Sequence, residues 1–294
     1  MRVASLKRTG LASEAEVLDR VNRVLGPVEM VDDASVRPDA CRILCVETRS
    51  GEHSFVKWYA QPSDYQRECD ALTLYTPALG TDAPRLIAND DALRMVLISR
   101  VPGESAALSD AQWDPLVHYR AGILVRRLHE SSAPVYSDQF GRQSATRFEN
   151  AASDLGDAVD GSLIAHARLF IARAMDVKSV SLVPTHRENH PRHWVIDPGG
   201  HVRLIDFGMC EYDPWIVDAF ALEHEYWRVD PQLRIAFLEG YDREISEDDE
   251  ALLRAHHAVR ALEGILAAQA PGSTKLQKRT AHDVFDRLVG NTLF

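Results

Sequence analysis

The sequence predicts an α+β chain in which a small, mostly antiparallel β lobe precedes a larger helical lobe. Three observations carry this expectation. Short β-rich runs bounded by turn residues occupy the first hundred residues. Beyond them the apolar spacing lengthens to that of amphipathic helices. Between the two, Val101-Pro-Gly-Glu104 breaks the chain and reads as a hinge. The boundary is therefore placed at residue 100, giving a lobe of 1–100 and one of 101–294, each long enough for its own core.

The elements follow in order. Ser13-Glu-Ala-Glu16 is a capping box, and Val17, Leu18, Val21, Val24 and Leu25 continue it at helical spacing to Gly26. After a polar stretch, 43–48 and 54–59 form two β runs joined by Arg-Ser-Gly-Glu, a hairpin. Ser63-Asp-Tyr-Gln66 repeats the capping-box pattern and opens a helix toward residue 79. Short strands at 85–88 and 95–98 flank the Asn89-Asp-Asp turn. Helical periodicity then covers 113–130, 163–175, 214–227 and 251–269, with a last short helix near 281–290. One β element interrupts them, a hairpin of 194–196 and 202–206 around Asp197-Pro-Gly-Gly200.

Composition narrows the function. The formal net charge is −11, and residues 211–250 hold 13 acids against 3 arginines. A nucleic-acid-binding surface is basic, so no nucleic-acid partner is expected. The acidic stretch is either a solvated helical face or a wall that attracts cationic small molecules. No run of 18 apolar residues exists, so no membrane helix is expected. The N-terminal MRVASLKRTGLASEAEV lacks an apolar signal core, and a cytoplasmic location is expected. Cys41, Cys45, Cys69 and Cys210 form no C-x-x-C pair and read as reduced thiols packed as small hydrophobes.

Three places carry chemistry. The chain has only five lysines, and Lys57 alternates with Phe55 and Tyr59 on one face of a strand. Either that face is solvated or Lys57 has an anionic partner. Glu68 lies on the apolar stripe of the next helix with Tyr65, Cys69 and Leu72, so the two make an ion pair or are unrelated snorkelling charges. Asp206 ends the run Val-Arg-Leu-Ile and precedes Phe207-Gly208, a placement that suits a metal–phosphate contact or a simple turn. If the hairpin turns at Pro198-Gly199, residues 186–193 lie beside Asp206. That stretch, Thr185-His-Arg-Glu-Asn-His-Pro-Arg-His193, has enough donors for zinc at His186, Glu188, His190 and His193. Pro184 and Pro191 make a regular helix there unfavourable, so the spacing guarantees no shared face.

The order of these features resembles the protein-kinase-like fold: a strand lysine, a helix glutamate about ten residues on, a hinge, an H-x-D-x-x-x-x-N loop, then a strand ending in Asp-Phe-Gly. Val101-Pro-Gly-Glu104, Leu128-His129, the loop with Pro191 and Trp194, and Asp213-Pro214 with Asp218 resemble the aminoglycoside phosphotransferase and choline kinase-like family over residues 35–230. The resemblance implies a bilobal kinase-like enzyme that moves the γ-phosphate of ATP or GTP to a small-molecule hydroxyl. An antibiotic of aminoglycoside or nucleoside type is the implied acceptor, and a monomer or homodimer the implied state. By position, Lys57 would hold the nucleotide phosphates, Glu68 would orient it, and Ser99 and Val101 would offer backbone groups to the base. Asp206 would bind Mg²⁺, His186 would brace the loop and Asp218 would support it.

Two positions depart from the family pattern. Glu188 stands where the family has its catalytic Asp, and His193 where it has an Asn metal ligand. Glutamate keeps a carboxylate to take a hydroxyl proton. Histidine suits Mn²⁺ better than Mg²⁺, so the metal is expected to be either ion. The 35–40 loop also lacks the glycines with which kinases cover phosphates. A nucleotide-binding pseudo-enzyme is the alternative reading, and a zinc enzyme a more distant one.

Overall fold

The computed structural model describes residues 10–269; the helix expected near 281–290 lies outside them. In chain order the elements are α1 (Glu14–Leu25), β1 (Val28–Asp33), β2 (Cys41–Thr48), β3 (His53–Tyr59), α2 (Pro62–Asp70), β4 (Leu86–Asp90), β5 (Met95–Ser99) and β6 (Glu104–Ser105). Then follow α3 (Pro115–His129), β7 (Val135–Ser137), α4 (Phe140–Leu155), α5 (Gly161–Asp176), β8 (Val180–Thr185), β9 (Trp194–Ile196), β10 (Val202–Leu204) and β11 (Glu211–Pro214). An irregular helical stretch containing α6 (Phe220–Leu222) leads to α7 (Pro231–Tyr241) and α8 (Glu247–Gln269). The α+β class and the antiparallel sheet followed by helices are as the sequence predicts.

The chain divides into two compact units. One takes the described residues up to Ser109 together with Pro191–Glu211, and the other takes Asp110–His190 and the described residues from Tyr212. A cut at residue 100 therefore misses a feature: the β9–β10 hairpin returns to the first unit. Its register pairs Trp194 with Leu204 and Ile196 with Val202, and β6 adds Glu104 opposite Ile196. Gly103, at φ 118°, presses against the Ile196 carbonyl, and a side chain there would collide with it. The expected hinge is thus pinned within this unit.

The first unit is a five-stranded sheet in the order β1-β2-β3-β5-β4, antiparallel throughout. Val17 and Val21 of α1 pack on one face with Leu44, Val46, Val56, Trp58, Met95 and Leu97. The Ser13–Glu16 capping box is formed, and Gly26 closes α1 at φ 81°. The opposite face packs Tyr59, Val96 and Ile98 against Tyr65 and Leu72 of α2 and the turns that follow it. Because both faces are covered, Lys57 does not look into solvent and is buried. The Ser63 capping box does not form: Pro62 takes the first turn, Gln61 is the N-cap and α2 ends at Asp70, passing into a π turn and a 3-10 turn.

In the second unit α4 and α5 pack on α8, and α3 packs along α7. The long helix expected at 214–227 is broken into a 3-10 turn, the three residues of α6 and a π turn. No helix among the described residues is long and apolar enough to cross a membrane.

Candidate active site

In the first unit, strand β3 delivers Lys57 from beneath the sheet, and α2 presents Glu68 to it. Lys57 Nζ lies 2.8 Å from Glu68 Oε1 and 2.8 Å from Asp206 Oδ1. Glu68 is 1% exposed and its Oε2 is buried without a hydrogen bond, whereas the Asp206 side chain is 37% exposed. Burial by itself would lower the Lys57 pKa, but the carboxylates of Asp206 and Glu68 outweigh it and hold the pKa above the ordinary lysine value. Burial pushes the Glu68 carboxyl up against the pull of Lys57. The result is a fixed ammonium group flanked by two acids, one inward and inaccessible, the other facing outward.

Asp206 reaches this position through the hairpin. The Ile205 amide donates to the His193 carbonyl, 3.0 Å, which extends the β9–β10 ladder past Leu204. Asp206 itself is left-handed, φ 69°, which ends the strand and turns its carboxylate out of the ladder. Its Oδ2 lies 3.6 Å from His193 Nε2, so the expected neighbourhood of His193 and Asp206 is present. As a donor set for a divalent cation, Asp206 offers the oxygen that Mg²⁺ favours, and His193 offers a nitrogen better suited to Mn²⁺. The pair fits one ion held chiefly by Asp206 and ligand oxygens.

A cavity of about 460 Å³ opens over these groups within the same unit, a size suited to a small-molecule ligand. Lys57, Asp206 and His193 form its charged end, and Ile98, Ser99 and Val101 another part of its wall. Ser99 donates its amide to the Arg85 carbonyl, 2.9 Å, while the Arg85 amide returns to the Ser99 hydroxyl, 2.9 Å, rather than to its carbonyl.

In the second unit β8 ends at Thr185 and the 186–190 loop follows. Its organiser is Asp218, 2% exposed. Asp218 Oδ2 accepts from the His186 amide at 2.8 Å, and Oδ1 from the Arg187 amide at 2.6 Å. The Asp218 carbonyl accepts from Asn189 Nδ2 at 3.1 Å. His129 Nε2 lies 2.9 Å from the same carboxylate, with Nδ1 2.7 Å from the Tyr241 hydroxyl. Burial alone would raise the Asp218 pKa; the hydrogen bond and charge of His129, with His186, outweigh it and hold it below the ordinary value.

Arg187 occupies a left-handed backbone, φ 63°, where a residue without Cβ is at least strain. Its amide bond to Asp218 and its Nε contact to Asp213 Oδ2, 2.9 Å, hold it there. His186 is buried, Glu188 is half-buried, and His190 places Nε2 2.8 Å from Glu225 Oε2. Asp213 and Asp218 are thus engaged in the loop's framework. Sequence reasoning missed Asn189 and the role of Arg187, because their partners lie 29 and 26 residues away with no periodicity to link them.

The cysteines are unpaired as disulfides, but only Cys45 and Cys210 are fully buried; Cys41 and Cys69 are partly exposed. Burial pushes the Cys41 thiol up to about 12, so it is inert at neutral pH.

The phosphotransferase enzyme family matches residues 46–267 of the sequence. No curated protein matches it. Among solved structures, a choline kinase from Streptococcus pneumoniae superposes with a TM-score of 0.68 at 13% identity, covering 95% of this chain and 99% of that one. The GDP complex of an aminoglycoside 2'-phosphotransferase gives 0.66 at 12% identity, with 94% and 97% covered. A spectinomycin phosphotransferase in complex with ADP and spectinomycin gives 0.59 at 11% identity, with 95% and 97% covered. At such identities these likenesses establish the kinase-like fold, and the family match, which spans well over half of the sequence, establishes the rest: the chain belongs to the phosphotransferase enzyme family and is an enzyme of that class.

Proposed function

We propose that this enzyme moves the γ-phosphoryl group of ATP or GTP to a hydroxyl of a small molecule, an antibiotic of aminoglycoside or nucleoside type, and thereby inactivates it. The observation that carries this reading is Lys57 held between Glu68 and Asp206, 2.8 Å from each. A lysine locked in its charged form at the end of a cavity is suited to nucleotide phosphates. Glu68 fixes its position, and Ser99 and Val101 on the cavity wall offer backbone groups to the base.

Asp206, with His193, would hold a divalent cation, Mg²⁺ or Mn²⁺, which when bound neutralises charge on the phosphate oxygens. Glu188 is the proposed base: as the acceptor oxygen bonds to the γ-phosphorus, Glu188 takes the hydroxyl proton. The bond from that phosphorus to the bridging β-oxygen breaks, and the nucleoside diphosphate leaves with its electron pair. Asp218 and His186 keep the loop in shape for this. In such reactions positioning and charge stabilisation dominate, so the longer Glu side chain is compatible with turnover. The 13 acids of residues 211–250 favour a cationic acceptor over an anionic one such as nucleic acid. We place the enzyme in the cytoplasm, where its nucleotide is found, as a monomer or homodimer.

A second reading has its own support. Glu188 and His193 both replace residues of the family pattern, which favours a protein that binds nucleotide without turnover. The deciding experiment incubates the protein with Mg²⁺ or Mn²⁺, ATP or GTP, and kanamycin, spectinomycin, a nucleoside antibiotic or choline. Mass spectra of the acceptors are then read for the gain of one phosphoryl group. The phosphotransferase reading expects that gain on at least one acceptor; nucleotide binding with no gain on any supports the second reading.

A further inference from the structure

The loop of residues 34–40, which lines the cavity through Ala34 and Val36, is ill-equipped to hold phosphates. Its Ala34 amide donates to the Ile43 carbonyl, 2.9 Å, and its Ser35 amide to Asp33 Oδ1, 3.0 Å. The amides of Ala40 and Cys41 both donate to the Arg37 carbonyl, 3.0 and 2.9 Å. Pro38 has no amide to give. A phosphate cradle needs several backbone N–H groups turned toward the anion, and three of this loop's six, those of Ala34, Ser35 and Ala40, are already given to acceptors of the protein itself.

Lysine alone does not make up the deficit. Lys57 is already shared by two carboxylates, Glu68 and Asp206, each 2.8 Å away. Two guanidinium side chains line the same cavity, Arg100 and Arg192. Arg100 holds Nη1 2.6 Å from His53 Nδ1. Arg192 sits on the 3-10 turn Pro191–His193, directly before His193 at the charged end. Its backbone is anchored, since Ser105 Oγ donates to the Arg192 carbonyl at 2.9 Å, while its side chain is exposed at the cavity wall.

We propose that Arg192 is a phosphate-binding residue of the nucleotide cavity, supplying from a side chain the contacts that the 34–40 loop does not supply from its backbone. A guanidinium fork matches a phosphate with two parallel hydrogen bonds, and its planar charge suits an oxygen-rich ligand better than an ammonium does. This inference rests on the nucleotide reading above and adds to it a residue that neither the family motif nor the sequence spacing singles out.

The test is calorimetric titration of wild-type protein, Arg192→Gln and Arg192→Lys with whichever of ATP and GTP the wild type binds, and with the matching nucleoside. Arg192→Gln should weaken triphosphate binding by about 10-fold or more, the range of a lost charge-assisted contact, and leave nucleoside affinity unchanged. Arg192→Lys should recover part of the loss, because it keeps the charge without the fork. Triphosphate affinity unchanged in Arg192→Gln, or an equal loss for triphosphate and nucleoside, overturns the proposal. A wild type that binds no nucleotide gives a different result: it overturns the underlying reading, and this inference with it.

Discussion

Lys57 and Asp218 are both buried charges that hold other groups in place, yet they are built to opposite ends. Around Lys57 three charged side chains converge and the surplus carboxylate, Asp206, faces outward. Around Asp218 a single carboxylate gathers two backbone amides and one histidine, so its charge is neutralised by dipoles and hydrogen bonds, and nothing is left over. The first region carries Lys57, Glu68 and Asp206, on which the proposed nucleotide site rests. The second keeps the framework but carries Glu188 and His190 in a loop whose following turn brings His193. A loop's shape and its reactive group are thus separable: Asp218 holds the backbone amides of His186 and Arg187, and neither contact uses the side chain at 188.

That separation is broken most severely at its hub. Asp218→Ala should cost about 3–5 kcal/mol, because the His186 and Arg187 amides and His129 lose a buried acceptor together. Denaturant unfolding measures it, and a cost below 1 kcal/mol would show that the loop needs no hub. The pH dependence has a definite sign. The folded pKa of Asp218 lies below its unfolded value. Its stabilisation is therefore complete above the ordinary carboxylate pKa and lost as pH falls through the depressed one. Asp218→Asn should accordingly show a flatter acid limb than wild type.

Lys57→Ala should do less to the fold and more to ligand binding. Removing the ammonium strands Glu68, but burial already pushes that carboxyl up, and it can take a proton. The rise in Tm that nucleotide produces in wild type should disappear. Retention of the full rise would contradict the role given to Lys57. His193→Asn is the mildest test. If His193 ligates the ion, wild type should work with Mn²⁺ at least as well as with Mg²⁺, and the variant should prefer Mg²⁺. Identical metal profiles would remove His193 from the ligand set.

The sequence makes the first region more legible than the second, for physical reasons. Lys57 and Glu68 sit on regular elements, where strand alternation and helix periodicity state which side chains turn inward. The capping box of α1 is likewise a local signal, and it forms as read. Ser63 shows the limit of that signal, because Pro62 already fixes the first helical turn. Strand β1 was hidden because its Val-Glu-Met-Val-Asp-Asp run is an exposed edge with no apolar face to betray it. The 214–227 stretch has helical periodicity, yet it breaks into short turns, with Asp218 in the first of them serving a loop about 30 residues upstream. Nor does the sequence mark α4, which is largely polar along one side, or α7, which lies within a strongly acidic region. The Asp206 contact to Lys57 spans 149 residues, and only the family order of motifs brought the two together in advance.

The proposed phosphoryl transfer depends on Glu188 taking the acceptor's proton. The most direct measurement is single-turnover transfer to an acceptor phosphorylated by wild type, compared with Glu188→Gln, with nucleotide affinity measured in parallel. Glu188→Gln should keep its nucleotide affinity unchanged and transfer at a rate at least about 100-fold lower, the scale of lost general-base help, while Glu188→Asp should retain activity. Glu188→Gln that transfers phosphate as fast as wild type would contradict it.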